Sequence, residues 1–295
     1  VAVPASSPAA DKNLAIGFIL VSYNSAAVLG DAIRSIPQGY PVVVVDNASR
    51  DTSAAISRSL GASVIANDRN VGFGAACNQA AKMLTTPYLF FLNPDATIQH
   101  GAMEIIENAI KAFPDAAGFG PSVEIPGEAR NFRSTSYVID QGRRYIADDA
   151  APKDCAEVDF LDGAAFLVDR ESFWSCGGFD ENLFLYYDDD DLSFRLRQLS
   201  KKLIYVPQAK VSHLKKNSSK GALRLDYNRA FHETRSRLLL NIKYGIPTEM
   251  HKEKKRAVIR FVRALAMLNL RKSARYLGTL SALNAKQLKS RSRPT

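Results

Sequence analysis

Short apolar runs alternate with helical segments through the first third of this chain, and that rhythm restricts the fold more than any other feature. Residues 14–23 (LAIGFILVSY), 41–45, 62–66 and 88–92 (YLFFL) are short and rich in branched and aromatic side chains. Such runs suit strands buried on both faces, as in a parallel sheet covered by helices. Between them, the segment after Asn24–Ser25 and residues 52–60, 75–84 and 101–113 read as helices, with Asn24 or Ser25 as the first N-cap. Strand and helix in this order give an α/β fold, a Rossmann-like, mostly parallel sheet flanked by helices.

In open sheets of this kind, ligands gather beyond the carboxyl ends of the strands. Polar residues stand there: Ser22 and Asn24 after the first strand, Asp46 and Asn47 after the second, Asn93 and Asp95 after the fourth. The G-x-G-x-x-G fingerprint and the Walker phosphate loop are both absent, which argues against a dehydrogenase or a P-loop enzyme. Further on, residues 118–122 and 159–168 (DFLDGAAFLV) read as strands, the latter carrying Asp162. Residues 124–137 read as an irregular loop, and 203–206 and 210–213 as two short strands on either side of Pro207. Residues 141–154 and 215–221 read as polar or basic mobile loops.

The strongest chemical signal is FLYYDDDDLSFRLRQ, with four consecutive carboxylates, Asp188 to Asp191. Adjacent like charges repel, so a proton, a cation or a basic partner must offset part of the run. A solvated acidic first turn of a helix is the plain reading. The flanks favour another: Phe184 to Tyr187 form a half-buried segment that delivers the carboxylates to a cleft, where one can act as a general base. Taken singly, Asp46 reads as the N-cap of the 47–52 turn. Asn93-Pro94-Asp95 suits either an Asx-turn or oxygen ligation of Mg²⁺ or Mn²⁺ with substrate phosphates. His213 suits either a structural hydrogen bond or a metal ligand.

Composition sets the remaining bounds. The 295 residues are 46% hydrophobic and 23% charged, the balance of a soluble globular protein. No run of about eighteen apolar residues exists to span a bilayer. Three widely spaced cysteines, Cys77, Cys155 and Cys176, match neither a disulfide framework nor a zinc site, and fit a reducing cytoplasm. Charge is divided: residues 1–199 hold 15 Lys and Arg against 26 Asp and Glu, and residues 200–295 hold 24 against 4. The basic tail calls for an anionic partner, a membrane surface or nucleic acid. Residues 224–243 and 251–283 are helical in pattern. Arg256, Arg260 and Arg263 share one face, while Ile259, Val262, Leu265, Met267 and Leu268 spread over another. Basic amphipathic helices lie on membranes or dock on a partner. No nucleic-acid recognition motif is present, so no nucleic-acid partner is expected.

The segments VSYNS, VVVVDNASRDTS, NVGFGAACNQA, FFLNPDA, FLDGAAFLVDRESFWSCGGFDENLFLYYDDDDLSFRLRQ and VPQAKVSH occur in this order. Together they resemble the family-2 inverting glycosyltransferases of GT-A fold, most of all the bacterial rhamnosyltransferase-like branch, over residues 14–213. The resemblance implies a GT-A domain at 14–223, which leaves the small, polar residues 1–13 as a disordered segment and the basic helical pattern at 224–295 as an appendage. It implies that Ser22, Tyr23, Asn24 and Asp46 hold the nucleoside, and that Asn70, Gly72 and Phe73 line the diphosphate and sugar. Asn93 and Asp95 occupy the metal-binding Asp-x-Asp position, and His213 matches a third metal ligand for Mg²⁺ or Mn²⁺. Asp162 and Gly163 would face the transferred sugar or acceptor. Asp188-Asp189 matches the acidic pair whose second member is the catalytic base. Asn93 departs from the pattern, since an amide supplies no charge; Asp188, Asp190 and Asp191 offer extra negative charge nearby. The implied reaction takes a nucleotide-sugar donor, dTDP-rhamnose on the branch resemblance. The acceptor is a glycan or lipid-linked hydroxyl at the cytoplasmic face of the membrane, in cell-surface polysaccharide synthesis. The competing readings are a nucleotidyltransferase, whose Gly-rich signature and Lys are missing, and a non-catalytic nucleotide- or nucleic-acid-binding module with a basic tail.

Overall fold

The computed structural model describes residues 15–127, 132–142, 151–214 and 223–285. The expectations for residues 1–13, 215–221 and 286–295, and for the middle of 141–154, lie outside the described residues.

Four parallel strands form one half of the sheet: β1 (Ile16–Ser22), β2 (Val42–Asp46), β3 (Ser63–Ala66) and β4 (Tyr88–Leu92). Helices α1 (Ala26–Ser35), α2 (Ser53–Ser59) and α3 (Phe73–Met83) connect them. The second half adds β5 (Ala96–Ile98), α4 (Ala102–Ala112), β6 (Ala116–Glu124), β7 (Ala156–Val158), β8 (Ala165–Asp169), α5 (Arg170–Ser175), α6 (Asp188–Gln198) and β9 (Lys202–His213). The sheet order is β3-β2-β1-β4-β8-β6-β9-β5, with β7 on β9. Strands β8, β5 and β7 run antiparallel to their neighbours. The mostly parallel α/β sheet read from the sequence is therefore present.

Period-two alternation explains why these strands are apolar throughout. Phe18, Leu20, Val44 and Phe90 pack under Leu29, Ile33, Ile106 and Ile110 on one face. Ile19, Val43, Val45 and Phe91 face the other way, toward α3 and α6. There, small residues let α3 sit close: a Cβ on Gly74 would come within 2.8 Å of Phe179 Cβ. Phe91 gathers the rings of Phe166, Phe173 and Phe179 at 4.9, 5.5 and 5.2 Å, contacts that add specificity to area burial.

Several local expectations need correction. The expected strand at 159–168 is a loop followed by β8. Asp162 breaks it, because its Oδ1 accepts from Ala164 N at 2.8 Å and its carbonyl from Ala165 N at 3.2 Å. The two short strands around Pro207 are one strand, β9. Pro207 sits where the register against β6 shifts between Pro121 and Ser122, a place where a missing N–H does no harm. Neither Asn24 nor Ser25 caps α1 through its side chain. Asp51 does so from the β2–α2 loop, accepting from Ala26 N at 3.0 Å. The long tail helix is two, α8 (Met250–Ala266) and α9 (Leu270–Asn284), which follow α7 (Leu223–Tyr244). Helices α7 and α9 cross backbone to backbone, since a Cβ on Gly278 would lie 2.2 Å from Tyr227 O. No helix among the described residues is long and apolar enough to cross a membrane.

Candidate active site

The strand ends bring the sequence-predicted residues to one rim. Ser22 and Asp46 are register partners at the tips of β1 and β2. Asp46 Oδ2 accepts from Ser49 N at 3.1 Å and shapes the turn. Ser22 Oγ and Asp46 Oδ1 are buried without a protein partner. Buried polar atoms are nearly always satisfied, so these two neighbouring orphans call for a partner from outside the chain, water or ligand. Tyr23 stands exposed beside them. Asn24 adopts a left-handed φ of 54° and accepts from Arg50 N through Oδ1 at 2.8 Å, locking the β1–α1 and β2–α2 loops together.

The next segment of the rim is held by Asn47, which the sequence reading noticed but gave no role. Asn47 is buried; its Nδ2 donates to Gly72 O at 3.0 Å and its Oδ1 accepts from Asn67 Nδ2 at 3.0 Å. Asn70 Oδ1 accepts from Gly72 N at 2.9 Å. Gly72 has φ 93°, and a Cβ there would meet Phe184 O at 2.6 Å; Phe73 N donates to that same carbonyl at 2.9 Å. The Asn70–Phe73 loop is thereby fixed to the segment that leads into the aspartates.

On the other side, Asn93 N donates to Ala164 O at 2.9 Å, and the adjacent Gly163 N donates to Asp189 Oδ2 at 3.1 Å. This relay sets the tip of β4 beside the start of α6, so Asp95 and Asp189 share the rim. Gly163 has no room for a side chain: a Cβ would lie 2.8 Å from Asp189 Oδ2. Pairing of β5 with β9 sets Ala96 opposite His213. Asp95 Oδ1 and His213 Nε2 are 3.1 Å apart, both side chains 16% exposed.

The aspartate run splits in two. Asp190 is gripped by Arg133 Nη2 at 2.5 Å and Tyr137 N at 2.6 Å. Asp191, fully buried, binds Arg195 at 2.6 Å, Lys243 at 2.5 Å and Tyr244 Oη at 2.7 Å. These two are neutralised within the protein, so the expectation that they lend negative charge to a metal does not hold. Asp188 and Asp189 make no ion pair among the described residues. Burial, then the charges of Asp190 and Asp191, pushes the Asp188 carboxyl up to about 7. Burial, then Asp190, Asp188 and Asp162, raises Asp189 well above the ordinary range. Tyr186 and Tyr187 precede them with left-handed φ of 69° and 63°. Each costs on the order of 1–3 kcal/mol for a bulky residue, strain typical of functional turns. Helix α7 holds this turn in place: Ser236 Oγ donates to Leu185 O at 2.8 Å, and His232 stacks on Phe184 at 4.2 Å.

Size does not mark this rim. The hollow beside Asp162 measures about 30 Å³, whereas hollows of about 640 and 430 Å³ open at the other end of the strands and contain none of these residues. Arg133, Lys243 and Tyr244 were not foreseen, since each reaches the run from more than fifty residues away.

Comparison with known proteins shows the family and the fold. The family described as glycosyl transferase family 2 matches residues 18–177. The chain belongs to that family and is an enzyme of the glycosyltransferase class. It is 27% identical over 207 residues to an N-acetylglucosaminyl-diphospho-decaprenol L-rhamnosyltransferase of Mycobacterium tuberculosis, covering 60% of this chain and 67% of that one. Its fold is similar to GalNAc-T7 solved with UDP, GalNAc and Mn²⁺ (TM-score 0.60, 15% identity, 90% of this chain and 55% of that one). It is also similar to the mannosyltransferase PcManGT of Pyrobaculum calidifontis in complex with GDP-Man and Mn²⁺ (TM-score 0.59, 16% identity, 92% and 88%). The sheet is of the GT-A type these neighbours share.

Proposed function

We propose that this protein is an inverting glycosyltransferase that moves a sugar, L-rhamnose from dTDP-rhamnose, onto a hydroxyl of a glycan or lipid-linked acceptor in cell-surface polysaccharide synthesis. The observation that carries this reading is Asp189: a half-buried carboxylate, raised in proton affinity, aimed by Gly163 N and standing on the rim with Asp95. Asp189 takes the proton from the acceptor hydroxyl as that oxygen attacks the anomeric carbon from the face opposite the leaving diphosphate. One in-line displacement inverts the centre. Asp188, beside it, keeps the local charge low by holding a proton near neutral pH.

The nucleoside sits against Ser22, Tyr23, Asn24 and Asp46, where the orphaned Ser22 Oγ and Asp46 Oδ1 gain partners. Asn70, Gly72 and Phe73 border the diphosphate, with Asp162 and Gly163 on the sugar and acceptor side. Asp95 and His213 fit a divalent cation, Mg²⁺ or Mn²⁺: a separation of 3.1 Å is that of two neighbouring ligands on one ion. No group of three or more His, Cys, Asp or Glu set to hold a metal exists among the described residues. Asp95 and His213 would therefore hold the ion together with oxygens of the bound donor, the Asn93 amide being a further protein oxygen close in sequence. When bound, the ion offsets charge developing on the departing diphosphate. The lipid-linked acceptor is supported by the diphospho-decaprenol substrate in the relative's name. The basic C-terminal helices bring the rim to the cytoplasmic face of the membrane.

A thermal-shift panel of nucleoside diphosphates and their sugars, with and without Mn²⁺, tests the reading. Stabilisation by dTDP and dTDP-rhamnose that strengthens with Mn²⁺ and is lost in Asp95→Ala is expected. No response to any nucleotide would overturn it.

A further inference from the structure

We infer that the turn between α8 and α9 is an apolar wedge that enters an anionic bilayer. This rests on the membrane contact proposed above and names the surface that makes it. Met267, Leu268 and Leu270 project at the turn with 79%, 85% and 60% of their surface exposed. Val258, Val262 and Leu265 continue the apolar surface along α8 at spacings of four and three, and all are exposed. The packed face of α8 lies elsewhere, on Ala257 and Ala264. A large contiguous apolar surface on a folded chain marks an interaction site.

Charge selects the occupant. Residues 254–285 carry eight Lys and Arg and no Asp or Glu. Arg260, Arg263 and Lys272 are exposed within about two turns of the tip, the two arginines on a different face of α8 from Val258, Val262 and Leu265. A second copy docking tip to tip by two-fold symmetry would bring one set of cations against another. Nucleic acid would meet the charge but leave Met267, Leu268 and Leu270 in water. An anionic leaflet satisfies both, with side chains in the acyl boundary and cations at the headgroups. Helix α9 then runs ~12 Å from Leu270 to its crossing with α7 at Gly278, at 1.5 Å per residue. Helix α7 carries His232 on Phe184 and Lys243 on Asp191. The docked hairpin thus suspends the aspartate rim beside the headgroups, where the diphosphate of a lipid-linked acceptor resides.

Co-flotation of the full chain with vesicles tests this, using 70:30 phosphatidylcholine:phosphatidylglycerol against phosphatidylcholine alone. The full chain is expected to float with the anionic vesicles and not with the neutral ones. M267S/L268S removes two side chains that the bilayer would bury and is expected to weaken partition about 100-fold. R260Q/R263Q/K272Q removes three surface charges, about five-fold each, and is expected to lose a similar amount. Equal partition of either variant and the parent chain would overturn the wedge. So would self-association in solution that Leu268→Ser abolishes. Nucleotide thermal shifts without vesicles report the glycosyltransferase reading separately: both variants keep them if the hairpin serves only the membrane.

Discussion

Asp188 and Asp189 differ from Asp190 and Asp191 in their partners. The second pair faces the protein body and is met by Arg133, Arg195, Lys243 and Tyr244. The first pair has no ion pair among the described residues: Asp189 takes the Gly163 N–H at the rim, and Asp188 is buried beside it, its carboxyl pushed up by burial and its acidic neighbours. One turn of helix separates an anchor from a reactive edge. The anchor is what permits the edge: two neutralised carboxylates fasten α6 to α7 and to the 132–142 segment. That lets Asp189 stand at the rim without an ion pair of its own, a local conflict typical of functional sites.

The anchored half gives the largest expected stability effect. Asp191→Asn sets a neutral amide at a fully buried position against the part-buried Arg195 and the more exposed Lys243, and breaking such a pair costs about 3–5 kcal/mol. Denaturant unfolding of the variant checks this, and a loss below about 1 kcal/mol would mean that Asp191 is no anchor. The half without ion pairs predicts the opposite sign. The Asp188 carboxyl binds its proton more tightly in the folded chain than in the unfolded one. Between its ordinary 3.8 and about 7, the folded state therefore holds more protons, and stability falls as pH rises through that window. Asp188→Asn removes this dependence and stabilises the chain at pH 8 by on the order of 2–4 kcal/mol, with little gain at pH 4. Thermal unfolding across pH reads the difference. The smallest effect belongs to the aim of Asp189. Gly163→Ala pushes on Asp189 Oδ2 and is expected to lower kcat about 10-fold with the fold intact, the cost of a small misplacement.

Much of this architecture was legible in the sequence because β1, β2 and β4 are buried on both faces and spell out their burial. The rule that ligands meet strand ends then located Ser22, Asp46, Asn93 and Asp95. What escaped were features with weak local signals. Strand β5 has three residues and exists because β9 pairs with it. Helix α5 is announced only by Asp169, whose carboxylate accepts from Ser172 N at 2.8 Å. Pro207 looked like a break, yet the bulge in β9 absorbs it. The division of labour among the four aspartates was illegible for a different reason. Identical residues in a row carry no sign of which will meet Arg133 or Lys243, 57 and 52 positions away.

Asp189→Asn measured for both sugar transfer and nucleotide affinity tests the central claim most directly. The account predicts that transfer falls by about 10³-fold, the scale of a lost general base, while nucleoside diphosphate binding stays as in the parent chain. Turnover near normal in that variant would contradict it.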